Sequence, residues 1–294
     1  MELGHIFALL AAVSFSLANV LIRKGTFLSG ESFTSVLISN FVGLLFFSIT
    51  MLFTSGVGVI GTVSLKGIVL LSTGGILHFV AGRFLAHNAL RLLGAVKASA
   101  IMRTQIFYPV ILGVMLFNES LSIFLIVGVI CLIIGATLVS LERKNKVFIT
   151  FNYKGIIVAC LAALCWGISG VVLKPGIQEI GSPFAALLVS NIATVSVMII
   201  ISLGKERQDQ IKNLNRKAFI TLATASLFTS LAQLGRYASL RITPVSVVDP
   251  LILSAYALLV IFLSFIINRQ IEIFTWKVLV GSAVTVAGVI LLIY

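Results

Sequence analysis

Long apolar segments recur along the whole chain, and this feature limits the possible folds more than any other. A transmembrane helix needs about 20 consecutive, mostly apolar residues. Ten segments meet this requirement, at 3–22, 33–54, 67–90, 95–117, 122–141, 155–174, 183–203, 217–240, 245–267 and 273–294. Only 10% of the 294 residues are charged, whereas soluble domains carry about 25%. We therefore predict an all-α integral membrane protein with ten transmembrane helices.

The two halves of the chain resemble each other. The segment GHIFALLAAVSFSLANVLIRKG (4–25) aligns without gaps with GIIVACLAALCWGISGVVLKPG (155–176). A unit of five helices crosses the membrane an odd number of times, so a second copy must enter from the opposite side. We expect two inverted five-helix repeats, residues 1–145 and 146–294, with a site between them near the membrane midplane.

Basic residues are distributed unevenly among the expected loops. Fifteen of the 21 Lys and Arg residues lie at odd-numbered loops or their helix ends, and three, Lys66, Lys174 and Arg241, lie at even-numbered loops. The positive-inside rule then assigns the odd loops to the cytoplasm and both termini to the extracytoplasmic side of the plasma membrane. The net charge of +12 thus reflects membrane topology, and no nucleic-acid partner is expected.

One stretch in the first half carries a family resemblance. GRFLAHNALRLLGAVKASAI (82–101) is followed by YPVILGVMLFNESLS (108–122), so a small-residue helix precedes a proline and an acidic helix end. With the two five-helix halves, this pattern resembles the EamA-type branch of the drug/metabolite transporter superfamily over essentially the whole chain. Members of that family export amino acids, drugs, sugars or phosphorylated metabolites. The resemblance implies a secondary transporter but not its substrate.

Two arginines lie inside expected spans of the first half. Arg83 and Arg103 fall at similar depths in neighbouring helices, and His87 lies one turn from Arg83 on the same face. An arginine at the bilayer centre costs at least ~2.5 kcal/mol. We expect these side chains to line a water-filled cavity, although snorkelling toward headgroups is an alternative. Gln105 lies ~200° around the helix from Arg103, and Arg103 is the preferred cavity residue.

The second half contributes a matching set of polar residues. In this part of the repeat the offset is 150 residues, since ALRLLGAV (89–96) aligns with SLRITPVS (239–246). Gln233 is then the counterpart of Arg83, and Leu253 is that of Arg103. Arg236 shares the helix face of Gln233. Asn19 and Trp166 are further candidates, with inter-helix hydrogen bonding and packing as their respective alternatives. The predicted substrate-binding residues are Arg83, Arg103, His87, Gln233, Arg236, Asn19 and Trp166. His78 or His87 is a candidate proton carrier, and uniport and exchange remain open.

Acidic residues are scarce in the expected spans. Of nine Asp and Glu, only Asp249 falls within one, close to its end. An antiporter of cationic drugs and protons needs an intramembrane carboxylate, so that activity is disfavoured. A carboxylate or phosphate would suit the arginines, which offer it a bidentate fork. We predict a substrate that is anionic or zwitterionic: an amino acid, an organic acid or a phosphorylated metabolite.

The competing class is a flippase or a membrane enzyme acting on a lipid-linked anion. The sequence contains no HExxH motif, no DxxxD pair and no CxxC spacing, so no enzymatic activity, metal or cofactor is expected. The expected partners are a small-molecule substrate and the lipid bilayer, with the chain as a monomer or homodimer.

Overall fold

The structure is a computed structural model. It describes residues 3–29, 32–53, 61, 63–93, 101–120, 122–140, 153–205, 207–208, 214–267 and 276–293. Every regular element within these ranges is a helix.

The described part of the first half contains six α-helices: α1 (Leu3–Ser29), α2 (Ser32–Phe53), α3 (Leu65–Ile76), α4 (Gly82–Leu93), α5 (Phe107–Phe117) and α6 (Ile123–Ser140). A π-helical turn, Leu77–Ala81, joins α3 to α4 without leaving helical backbone angles. A 3₁₀ segment, Arg103–Ile106, leads into α5.

The α-helices described in the second half are α7 (Tyr153–Ile180), α8 (Pro183–Ser202), α9 (Arg216–Ile242), α10 (Val245–Ile267) and α11 (Trp276–Ile293). Short polar residues begin two of them. The Ser182 side chain accepts a hydrogen bond from the Ala185 amide at the start of α8, and Asn215 accepts one from Lys217 at the start of α9. Such caps satisfy amides that have no partner within the helix.

Membrane-spanning length is reached by six helical stretches of the described chain: Leu3–Ile22, Phe33–Phe53, Leu65–Ala86, Tyr153–Ile180, Pro183–Ser202 and Arg216–Ile242. Three shorter apolar stretches follow in the same ranges: Thr104–Phe117, Ile123–Gly135 and Val245–Tyr256. The prediction of a multi-pass helical membrane protein is therefore confirmed.

The surface is apolar and much of the interior is polar. Large side chains such as Leu45, Leu52 and Phe53 are 61%, 76% and 83% exposed. Hydroxyl and amide side chains such as Ser190 and Asn191 are buried. An apolar outer surface around a mixed interior is the arrangement expected when lipid, not water, surrounds the helices.

Helix α7 is longer than its sequence predicted. We expected this span to end at residue 174, before a proline, and we assigned Lys174 to a loop. The helix instead continues through Pro175 to Ile180 and stops at Gly181, whose φ is +66°. A proline removes one backbone hydrogen bond without always ending a membrane helix. Lys174 is consequently a buried residue of α7.

The two halves pack against each other along several helix pairs. Helix α1 packs on α9 and α10, and α4 packs on α7. Small residues permit the close approach of α1 and α9: a Cβ on Gly235 would lie 2.9 Å from the Phe7 carbonyl oxygen. The Ser239 hydroxyl donates to the Gly4 carbonyl oxygen over 2.8 Å. The start of α1 therefore lies beside the end of α9 and the start of α10.

Candidate functional site

A cavity of about 320 Å³ lies between the two halves. Its walls come from α1, α2, the π-helical turn, α4, the 3₁₀ segment, α7, α9 and α10. Its volume is that of a pocket for a small molecule.

Most of the residues predicted to bind substrate lie on its wall. Asn19, Arg83, Trp166, Gln233 and Arg236 all line the cavity. The structure therefore brings together residues from four separate helices, α1 and α4 of the first half and α7 and α9 of the second.

The two other predicted residues cannot be located in the same way. The side chains of Arg103 and His87 lie outside the part of the chain that the structure describes. Leu253, which the repeat makes the counterpart of Arg103, lines the cavity. Gln105, which the sequence analysis ranked below Arg103, also lines it.

Arg83 is a cavity cation with no acidic partner among the described side chains. Its guanidinium lies 5.5 Å from the centre of the Phe79 ring, one helical turn earlier, so the ring supports the positive charge from one side. Among the described residues no carboxylate pairs with Arg83. The charge of Arg83 is thus available to a ligand.

Arg236 differs from this expectation. We predicted that it binds substrate, but its Nε donates to Asp249 Oδ1 over 2.8 Å and its Nη2 donates to Oδ2 over 3.0 Å. Both side chains are buried. Gly170 on α7 makes room for this pair, because a Cβ there would lie 2.3 Å from Asp249 Oδ2. Asp249, which we noted only as an acid near a helix end, therefore neutralises Arg236.

The π-helical turn is held to α7 by three polar groups. The Trp166 indole N–H donates to the His78 carbonyl oxygen over 3.1 Å. The Ser169 hydroxyl donates to the Trp166 carbonyl oxygen over 2.7 Å and lies 3.0 Å from His78 Nδ1. Trp166 therefore anchors the turn as well as lining the cavity.

Two polar atoms in the cavity wall have no protein partner among the described residues. Gln233 and Arg236 are 2% and 4% exposed, and yet Gln233 Oε1 and Arg236 Nη1 make no hydrogen bond. The Gln233 amide nitrogen lies 3.1 Å from His78 Nε2. Buried polar atoms left unpaired in a protein are uncommon, and here they offer one acceptor and one donor at the cavity wall.

A hydrogen bond connects α1 to α10 across the cavity. The Asn19 amide donates to the Tyr256 hydroxyl, and both residues line the cavity. The predicted alternative for Asn19, a bond between helices, is therefore present. It does not remove Asn19 from the wall.

The start of α10 carries a second group of paired charges, which we name the Glu119 cluster, formed by Glu119, Lys174 and the first amides of α10. Lys174 Nζ lies 2.5 Å from Glu119 Oε1. The Val245 amide donates to Oε1 over 3.0 Å and the Ser246 amide donates to Oε2 over 3.1 Å. The carboxylate also faces the positive end of the α10 dipole. It thereby joins α5 of the first half to α7 and α10 of the second.

The sequence contained only weak signals for these contacts. Glu119 and Lys174 are 55 residues apart, and each occurs near a helix end, where charged residues are common. Gln105 was visible as a polar residue in an apolar run. Its side-chain direction depends on the 3₁₀ segment, which the sequence did not reveal.

Comparison with known proteins supports the architecture. The EamA-like transporter family matches the chain twice, over residues 2–141 and 153–294. One solved crystal structure superposes with a TM-score of 0.77, covering 98% of this chain and 95% of its own at 15% sequence identity. At that identity the similarity concerns the fold alone. No curated protein matches the chain in sequence.

The family match covers both halves and nearly the whole sequence, and it agrees with the helical membrane fold and the cavity between the halves. The chain belongs to the EamA-like transporter family, a family of multi-pass membrane transporters of small molecules.

Proposed function

We propose that the protein is a secondary transporter that moves a small anionic or zwitterionic metabolite by alternating access around a central cationic site. Its ten membrane helices form two inverted repeats, residues 1–145 and 146–294. The observation that carries the proposal is Arg83, a cavity-lining guanidinium with no carboxylate partner in the described chain.

The charges of the cavity favour an anionic group over a cationic one. Arg236 and Asp249 cancel each other, so Arg83 leaves one positive charge among the described side chains of the wall. Arg236 Nη1 adds a donor, while Gln233 Oε1 adds an acceptor. A carboxylate or phosphate beside an ammonium or hydroxyl group would satisfy all three. Arg103 and His87 are proposed as further members of the same site.

Alternating access requires the cavity to open at either end. The Glu119 cluster lies at the start of α10, one turn beyond Asp249. At the other end, the wall includes Ile22 and Ser35, close to the connection between α1 and α2. We infer that the described conformation is closed at the Glu119 end, and that transport requires the Glu119 cluster to separate.

The membrane orientation follows from the basic residues. With the odd loops in the cytoplasm, the Glu119 end is extracytoplasmic, both termini lie outside and the described conformation faces the cytoplasm. The corrected position of Lys174 strengthens this bias, because one of the three basic residues assigned to even loops belongs to a buried ion pair instead.

A thermal-unfolding screen of the purified protein in detergent tests the proposal. Lactate, sulfate, glycine, glutamate and tetramethylammonium would be compared for the parent, Arg83→Gln, Arg103→Gln and the control Arg241→Gln, whose side chain is exposed at the end of α9. A ligand at one hundred times its dissociation constant stabilises by about 2.7 kcal/mol. We expect anions or zwitterions to raise the melting temperature of the parent and of Arg241→Gln, but not that of Arg83→Gln.

Other outcomes would replace the proposal. Stabilisation by tetramethylammonium alone would indicate a cation transporter. Loss of the response in Arg103→Gln but not in Arg83→Gln would move the cationic centre to Arg103. Stabilisation by a long-chain alkyl phosphate but by no soluble anion would favour the competing function, movement or modification of a lipid-linked anion.

A further inference from the structure

We propose that His78 is a proton-binding site that communicates with the substrate through the Gln233 side chain, so that the protein carries a proton together with its anion. This inference rests on the proposed function and assigns its coupling ion. It comes from the hydrogen bonds around the imidazole and from the unpaired oxygen of Gln233.

The hydrogen bonds determine which ring nitrogen of His78 carries the proton. Ser169 Oγ uses its own hydrogen to donate to the Trp166 carbonyl oxygen, 2.7 Å away. It must therefore accept from His78 Nδ1, 3.0 Å away. On the other side, the Gln233 amide nitrogen has no free lone pair, so it donates to His78 Nε2 over 3.1 Å. With the Gln233 amide in the orientation of the structure, the state of His78 that fits these contacts is the neutral imidazole with its hydrogen on Nδ1.

This arrangement leaves the Gln233 carbonyl oxygen without a partner. Gln233 is 2% exposed, its Oε1 makes no hydrogen bond among the described residues, and the side chain lines the cavity. An unmade hydrogen bond on a buried acceptor is unfavourable. While His78 is neutral, Gln233 presents an oxygen to the cavity, and that oxygen suits an ammonium or hydroxyl group of a ligand but repels its carboxylate, phosphate or sulfate group.

Protonation of His78 reverses the direction of this contact. A proton on Nε2 makes it a donor, and the Gln233 amide satisfies it by turning about 180°, which brings Oε1 to the imidazolium. The NH₂ group of Gln233 then faces the cavity at the position that Oε1 occupied before the amide turned. A single proton thereby removes an unpaired acceptor and gives the cavity a donor for an anion.

The charged groups around His78 favour binding of the two ions together. Arg83 on α4 and Arg236 on α9 are the described cations of the wall, and Asp249 on α10 pairs with Arg236. The phenols of Tyr237 on α9 and Tyr256 on α10 are uncharged. Helices α2 and α8, which also pack on the π-helical turn, contain no charged residue.

Lys174 is the charged residue of α7 closest in sequence to Ser169, and it is paired with Glu119. Arg83 therefore leaves the described wall with one positive charge, and a proton on His78 makes two. Repulsion from Arg83 opposes that proton until an anion is present, and the anion gains a second positive neighbour. The coupling is reciprocal, as all coupling between binding sites must be.

The test measures the dissociation constants of lactate and sulfate at several pH values. Both remain fully ionised in the neutral range, so any pH dependence belongs to the protein. The purified parent would be compared with His78→Gln, His5→Gln and His87→Gln, because these are the three histidines of the chain. His5 is buried near the start of α1, away from the cavity.

We expect binding to the parent to weaken about tenfold per pH unit as pH rises through the range in which His78 releases its proton, because one proton is bound per anion. His5→Gln should retain both the affinity and this slope. His87→Gln, a variant of the proposed site, should retain the slope even where its affinity falls, and His78→Gln should lose the slope. An unchanged slope in His78→Gln, or its loss in His87→Gln, would overturn the assignment. Binding without any pH dependence in the parent would overturn the coupling while leaving the anion site intact. Binding of neither anion would remove the proposed function itself.

Nitrogen-15 spectra of histidine-labelled protein provide a second readout that requires no substitution of His78. His5→Gln and His87→Gln identify its signals by elimination. We expect the neutral Nδ1–H tautomer without anion and an increased imidazolium fraction when sulfate is added at constant pH. An Nε2–H tautomer, or a spectrum that does not respond to bound sulfate, would contradict the proposal.

Discussion

The guanidinium of Arg236 binds both carboxylate oxygens of Asp249, thirteen residues further along the chain. The two residues lie on consecutive helices, α9 and α10, and face each other beside the cavity. A paired, hydrogen-bonded arrangement is the form in which a buried charge is tolerated. Because Asp249 neutralises Arg236, the positive charge of Arg236 is not left over for a ligand.

Removal of one member of this pair should lower the free energy of unfolding. Asp249→Asn leaves the Arg236 charge uncompensated, and we expect a loss of about 3–5 kcal/mol in the free energy of unfolding. The same variant should bind lactate or sulfate more tightly where it remains folded, since the free charge then faces the ligand. Unfolding in a denaturing-detergent titration measures the first effect. If the double variant Arg236→Met, Asp249→Leu regains the parent's free energy of unfolding, the loss in Asp249→Asn comes from the unpaired charge of Arg236.

The variant Gly170→Ala tests whether the Arg236–Asp249 pair needs the space left by the glycine. Gly170→Ala places a methyl group 2.3 Å from Asp249 Oδ2 and 3.0 Å from Arg236 Nη2, so the carboxylate must move. We expect a destabilisation of about 1–3 kcal/mol, typical of overpacking, measured by thermal unfolding. Gly204→Ala is the control, because its Cβ would meet no atom closer than 3.7 Å. A parent-like melting temperature for Gly170→Ala would mean that the helices separate easily here.

The Glu119 cluster should make stability depend on acid pH. Burial alone would raise the pKa of the Glu119 carboxyl, but hydrogen bonds from Lys174 and Ser246 lower it below its ordinary value. A carboxyl whose pKa is lower in the folded protein contributes stability that is complete above its ordinary pKa. This contribution is lost as pH falls through the lowered value. Acid should therefore weaken the closed end of the cavity.

Glu119→Gln tests this dependence by removing the charge but keeping the shape. We expect the variant to be less stable than the parent at neutral pH and to approach it as pH falls. A cysteine introduced near Val245 should also react faster with a thiol reagent in Glu119→Gln than in the parent, because the Glu119 end of the cavity opens more often. Equal labelling rates in parent and variant would argue against Glu119 as a closing contact. Gly113→Ala, whose Cβ would lie 2.4 Å from Glu119 Oε2, should reproduce the effect without changing a charge.

Gln105 is expected to contribute to ligand affinity. It lines the cavity beside Arg83, and Gln105→Leu removes its donor and acceptor while keeping a similar volume. One hydrogen bond contributes about 0.5–1.5 kcal/mol, so the dissociation constant of the best ligand should rise about threefold to tenfold, measured by calorimetry. The exposed Gln208 provides the control variant Gln208→Leu. No change in Gln105→Leu would indicate that Gln105 faces the cavity without touching the ligand.

Much of the architecture was readable from the sequence, for identifiable reasons. Lipid requires every backbone polar group to be bonded within the chain, so apolar segments of this length can form little except helices. The alignment of 4–25 with 155–176 revealed the duplication before any coordinates. The rarity of polar residues in such helices made Arg83, Gln233, Arg236, Asn19 and Trp166 stand out, and all five line the cavity. A polar side chain avoids lipid wherever it occurs, so its position alone indicates that it faces inward.

The sequence could not decide which of these polar residues pair with each other. Whether Arg236 is free or neutralised depends on how α9 and α10 are rotated and shifted relative to each other. A shift of either helix along its axis by one helical turn would separate Arg236 from Asp249. Lys174 and Glu119 meet because α7 continues through Pro175 and brings the lysine beneath the start of α10. The hydrogen bonds of His78 depend on the π-helical turn, which changes the rotation of α4 relative to α3. Composition and periodicity determined which residues leave the lipid; only the tertiary packing decided which charges remain for a ligand, because pairing depends on distances of a few ångströms between helices distant in sequence.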